Sequence, residues 1–153
     1  MRFGLERTRD PDIVNAILSD PWISERLRID GRVPGYIDNP AIEYYAAYVE
    51  SSLAGIFILG KFSAFEAEVH VALARWSIKD GRELAAMFLD RVLCDGVQRA
   101  SAWVLSSLPS TANFCRRLGF VDEGRKREAV RRDGKPLDLL LLGLTAEEWR
   151  LRR

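Results

Sequence analysis

Glu66, Glu68 and His70 recur at alternate positions in the stretch Phe65 to Leu73. In a strand that spacing puts two carboxylates and an imidazole on one face, and Ala67, Val69 and Val71 on the other. Carboxylates crowded together bind protons more tightly, which suits a general base working near neutrality, and Glu68 is the candidate. The same face reads equally as a solvated or ion-paired surface, with His70 as a packed strand residue. A second group, Lys79-Asp80-Gly81-Arg82-Glu83, opens an apolar helical run through Leu84, Met87 and Phe88. Its Asp-x-x-Glu spacing predicts a capping box at the start of that helix.

The elements that must position these residues follow from periodicity and punctuation. Asp10-Pro11 and Ser19-Asp20-Pro21 each predict a helix start, with Asp as N-cap and Pro in the first turn. Asp30 to Pro40, rich in Gly, Pro and Asp, predicts a loop. Three strands are predicted at Glu43 to Glu50, Leu53 to Phe62 and Phe65 to Leu73, then a helix over Asp80 to Asp95. A strand around Ala102 to Leu105 leads to a helix from Pro109 to Leu118. Within Ser107 to Phe120, Phe114 and Leu118 share a helical face, Gly119 can end the helix in the left-handed region, and Phe120 packs back on Phe114 and Cys115. Asp133-Gly134 marks a two-residue hairpin between the last strands. Thr145-Ala146-Glu147-Glu148 is a capping box for a short final helix.

With 153 residues, 48% of them hydrophobic, the chain can bury one good core but not two ordinary ones, so residues 1–153 form a single domain. A formal net charge of +1 gives no support for nucleic-acid binding. No apolar run reaches membrane-spanning length, the charged N-terminus does not read as a signal peptide, and the expected location is the cytoplasm. Cys94 and Cys115 lie among apolar helical neighbours and are expected to be buried thiols. One His and two separated Cys make a metal site of the usual kinds unexpected. The tail Arg150-Leu151-Arg152-Arg153 reads as a frayed, solvated end.

Arg117-Leu118-Gly119-Phe120 closing a helix, then Glu123-Gly124, a basic strand and the Asp-Gly hairpin, resembles the end of the GNAT N-acetyltransferase domain, and the element order agrees. The resemblance implies an α+β fold with a mixed, mostly antiparallel central sheet flanked by helices, and acetyl-CoA as co-substrate. It implies that the loop Lys79, Asp80, Gly81, Arg82, Glu83 and Leu84 binds the CoA diphosphate through free amides and a helix dipole. Gly81 matches the first glycine of the family's R/Q-x-x-G-x-G/A pattern. Ile78 and Glu83 depart from it, and the carboxylates of Asp80 and Glu83 would oppose an anion. The main chain at Val71 and Leu73 would pair with pantetheine, and Asn113 stands one turn along from the position of a common family Asn. Cys115 occupies the place of the usual general-acid Tyr, either as an acid or as a small apolar filler. Glu68 would be the base.

The acceptor implied is a small-molecule or protein amine. Tyr36, Tyr44, Tyr45, Asp38 and Glu43 suit a cationic ligand, but they suit a homodimer surface equally, as would an exposed Trp149. The departures at Ile78, Asp80, Glu83 and Cys115 also fit a GNAT-like scaffold without turnover, a binding or assembly module similar to some phage-encoded proteins.

Overall fold

The computed structural model describes residues 2–94 and 96–152. Strand β1 (Phe3–Thr8) is followed by helices α1 (Pro11–Leu18) and α2 (Pro21–Leu27), then by the meander β2 (Ile42–Val49), β3 (Ser52–Lys61) and β4 (Glu66–Leu73). A 3-10 segment, Arg75–Asp80, runs into α3 (Gly81–Leu93). Next come β5 (Arg99–Leu105), α4 (Pro109–Leu118), β6 (Val121–Arg132), β7 (Lys135–Thr145) and α5 (Ala146–Arg152). Among the described residues seven strands form one sheet in the order β1-β2-β3-β4-β5-β7-β6, with β4 and β5 the only parallel neighbours. This is the α+β architecture expected.

Strand β1 is missing from the sequence reading because Glu6 and Arg7 break its pattern and only Leu5 is buried. The backbone ladder to β2, from Phe3↔Val49 to Thr8↔Tyr44, holds it at the sheet edge.

Two cores flank the sheet. On one face Tyr45, Phe57, Ala67, Ala102 and Leu142 pack with Leu84, Phe88 and Leu89 of α3 and Cys115 and Leu118 of α4. On the other, Tyr44, Ala46, Ile56 and Ala72 pack under Val14, Ile17 and Leu18 of α1 and Ile23 of α2. Helices α1 and α2 begin as expected: Asp10 accepts from Asp12 N, and Asp20 from Trp22 N and Ile23 N. Helix α4 ends at Gly119, φ 111°, where Gly119 N–H donates to Arg116 O and Phe120 N–H to Cys115 O. Those are the two bonds of a Schellman motif, and only glycine takes that φ without strain.

Several expectations are corrected. The Asp80–Glu83 capping box does not form, because Asp80 continues the preceding 3-10 turn and its side chain caps nothing. Helix α3 stops at Leu93, Cys94 is exposed, and the predicted last helical residue, Asp95, lies outside the described residues. The tail is helical through Arg152, whose guanidinium donates to Arg117 O; Arg153 lies outside the described residues. Trp149 is 4% exposed and donates its indole N–H to Asp90, so it belongs to the core.

Candidate active site

The sheet is nearly cut in two where its strands turn parallel. β4 and β5 pair only at Glu66↔Arg99, Ala67↔Ala100 and Glu68↔Ser101. Beyond that point β4 remains paired to β3 as far as Leu73↔Gly55, and β5 to β7 as far as Leu105↔Leu139. The strands therefore diverge just past Glu68, and the main chain of Val69–Leu73 and Ala102–Leu105 has no ladder partner across the gap. Packing holds this opening in place. The Leu73 side chain lies between two glycines, and a Cβ on Gly55 would sit 2.7 Å from it and one on Gly81 2.8 Å from it. Phe114 of α4 closes on the same spot, 3.4 Å from where a Gly81 Cβ would be. Val71 and Leu73 are thus fixed by side chains packed into the core, while their backbone faces the gap.

Glu68 stands at the apex of the divergence. By alternation it shares a sheet face with Ala72, the face that carries α1 and α2. Its cross-strand neighbours are Gly60 and Ser101, and open space surrounds Gly60. Small neighbours leave room beside the carboxylate. His70 Nε2 lies 2.8 Å from Glu68 Oε1 and orients it. Glu66, the other acid of the alternation, is tied down separately: Ser101 Oγ donates to its Oε2 at 2.5 Å and Arg99 lies 3.5 Å away. The three residues predicted to share a face do so, but only Glu68 and His70 form a pair. Next to them the Phe62 and Trp103 rings, 5.8 Å apart, remain half exposed.

At the start of α3 the charges are arranged differently from expectation. Asp80 is buried, bound to Arg2 at 3.1 Å, with Oδ2 lacking any partner among the described residues. Gly81 N–H donates to Ile78 O, so that amide is already used. Arg82 and Glu83 follow in the first turn of α3. Both residues are exposed, as is Lys79, whereas Leu84 is fully buried. Arg82 and Glu83 line a cavity of about 260 Å³ together with Arg117 and Arg152, floored by Ala86 and Trp149. Sequence reasoning missed Arg117 and Arg152; both were legible as a basic helix end and a basic tail, but nothing local showed that they meet. Asn113 is drawn aside, its side-chain oxygen accepting from Arg116 at 2.7 Å.

No family model and no curated protein sequence matches the chain. Solved structures do. Spermidine N-acetyltransferase SpeG from Vibrio cholerae, in complex with CoA and spermine, superposes with a TM-score of 0.82 at 15% identity, over 97% of this chain and 98% of that one. Mutant forms of the same spermidine/spermine N-acetyltransferase reach 0.81 at 16% identity, over 99% and 98% of the two chains. The chain has the GNAT fold. At these identities the likeness is one of shape.

Within the GNAT fold the remaining predicted residues find their places. Cys115 is 7% exposed among core side chains, and burial pushes its thiol up to about 11. That environment makes it a packing residue, far from the Glu68 face. Tyr44 and Tyr45, predicted at an acceptor surface, are buried on opposite faces of the sheet. Tyr45 donates to Glu43 at 3.0 Å, and Lys61 meets the same carboxylate at 3.0 Å. Glu43 is therefore a buried ion-pair centre away from Glu68. Tyr44 accepts from Ile37 N and stacks on Tyr36 at 5.0 Å, which anchors the Asp30 to Pro40 loop. Among the described residues no cluster has the makings of a metal site, and no helix is long and apolar enough to cross a membrane.

Proposed function

We propose that this chain is an acetyl-CoA-dependent N-acetyltransferase. The observation that carries the reading is the end of the β4–β5 ladder one pair past Ala67↔Ala100, with Glu68 at the apex of the gap. Unpaired strand backbone is a ready partner for an amide-bearing chain such as pantetheine, and Val71 and Leu73 would supply it. The diphosphate would lie at the start of α3 on the amides of Arg82 and Glu83, within reach of the Arg82, Arg117 and Arg152 guanidinia. The donor set is displaced from Gly81 and rests more on side-chain charge than the family's loop does. Acetyl-CoA would supply the acyl group as a thioester. Glu68 would take the proton from an incoming ammonium, with His70 holding the carboxylate towards the gap.

The test is a melting curve with and without acetyl-CoA, alongside an assay of CoA release with primary amines. Saturation at a hundred times the dissociation constant stabilises by about 2.7 kcal/mol, a shift of several degrees for a domain of this size. An unchanged melting temperature at millimolar acetyl-CoA overturns the reading.

A further inference from the structure

Beside Glu68 the sheet leaves two large aromatic side chains in the open. Trp103 lies one alternation past Ser101, the β5 partner of Glu68, and faces away from Ala102 and Val104, which belong to the core under α3 and α4. Phe62 follows the last residue of β3, and its amide donates to Glu66 O at 3.1 Å. Their ring centroids are 5.8 Å apart. One ring starts from the β3 side of β4 and the other from the β5 side, so the pair spans β4 at Glu68. Phe62 is 52% exposed and Trp103 38%. Leu141, opposite Trp103 on β7, and Leu139 continue the apolar surface on the same face, half-buried. A contiguous apolar surface left in water marks a place for a ligand or partner.

The charges around these rings favour one kind of ligand. Glu66 and Glu123 are both taken up by Arg99. Glu68, paired with His70, is the carboxylate at the gap. The Lys126 ammonium stands over Trp103, 5.7 Å from the ring centroid, and has no ion-pair partner among the described residues. One ammonium therefore meets an acid at Glu68, while a second one further along the same molecule, over the rings, meets Lys126. Like charges brought together reject the wrong partner. The rings offer the opposite to a flat apolar body, since aromatic pairs attract beyond the area they bury.

We infer that the acceptor is a monoamine on an aromatic body, its ring received by Phe62 and Trp103 and any second cation turned away by Lys126. This rests on the acetyltransferase reading above. The ammonium gives one proton to Glu68 and through it to solvent. Its nitrogen then bonds the acetyl carbon as the carbon–sulfur bond breaks, and a second proton from that nitrogen leaves with the CoA sulfur.

The experiment compares kcat/KM for 2-phenylethylamine with that for spermidine, a triamine, at saturating acetyl-CoA. The wild-type chain is expected to favour 2-phenylethylamine by about tenfold or more. Trp103→Ala should lower kcat/KM for 2-phenylethylamine about tenfold, mostly through KM. Lys126→Glu should raise that for spermidine about tenfold, by exchanging a repulsion for an attraction. Phe62→Ala, at an exposed position, repeats the first test if Trp103→Ala does not fold. The acetyl-CoA-induced rise in melting temperature, measured on each variant, shows that fold and co-substrate site persist. Spermidine used as well as 2-phenylethylamine, or a preference that these substitutions leave unmoved, overturns the aromatic acceptor alone. A dimer broken by Trp103→Ala with the amine preference intact does so too, and makes the rings a self-association face. Failure of the wild-type chain to bind acetyl-CoA or to acetylate any amine overturns the acetyltransferase reading and the aromatic acceptor with it.

Discussion

Glu68 is set apart from Glu66 by its neighbours rather than by its type. Glu66 is held by Ser101 and Arg99, while Glu68 faces open space over Gly60 and, among the described residues, pairs with His70. A carboxylate held by one imidazole and left otherwise free can accept a proton from a molecule in the gap. Replacing Glu68 with Gln keeps the shape and the contact to His70 but removes the base. That variant is expected to lose about 10²-fold or more in kcat, with its acetyl-CoA-induced rise in melting temperature unchanged. Loss of the ligand-induced shift as well would mark Glu68 as a structural residue. The sequence placed this residue on the right strand and face. It could not show that Glu66 was already engaged, since Arg99 and Ser101 reach it from a strand paired across the sheet.

At the scale of elements, the end of α4 and the start of α3 are coupled through α5. Gly119 lets α4 turn sharply, and the Arg152 side chain lies against it: a Cβ added there would fall 2.5 Å from Arg152 Cδ. The space a glycine leaves is what admits Arg152 to the cavity shared with Arg82 and Arg117. Gly119→Ala is therefore expected to act twice. Forcing a Cβ into the left-handed region costs about 1–2 kcal/mol of stability, read from urea denaturation. Displacing Arg152 should also weaken acetyl-CoA binding severalfold, read by titration. Arg152→Gln, which leaves the turn intact, should reproduce the second effect without the first. If Arg152→Gln binds acetyl-CoA as the parent does, the basic cavity is not where the diphosphate sits. Helix end signals such as Arg117-Leu118-Gly119-Phe120 were legible because every bond in a Schellman motif is local. The companion signal at Asp80 and Glu83 misled for the opposite reason. An ion pair with Arg2, near the start of the chain, and a preceding 3-10 turn overrode the local capping preference.

For the whole molecule, the sequence carried the element order, both proline-led helix starts and the hairpin turn, all set by contacts within a few residues. It did not carry β1, whose only buried side chain is Leu5, nor the bonds of Arg28 and Asp30 to the β6–β7 turn at Asp133, whose partners lie over a hundred residues apart. It also gave no sign of how the sheet is joined. Strands β1 to β4 and strands β5, β7 and β6 share just the three register pairs between β4 and β5. Elsewhere they are tied by α3, α4 and α5 on one face and by those bonds of Arg28 and Asp30 on the other. Backbone without a ladder partner exchanges its amide hydrogens readily, so the junction should be the least protected part of the sheet. Hydrogen exchange is thus expected to be fast at those amides of Val69–Leu73 that face β5 and of Ala102–Leu105 that face β4. The central amides of β3, paired on both sides, should be slow. Adding acetyl-CoA should protect the gap amides selectively, because a ligand in the divergence supplies the missing partners to both halves. Slow exchange across the gap without ligand would mean that the two strands are already bridged, and no room would be left there for a pantetheine chain.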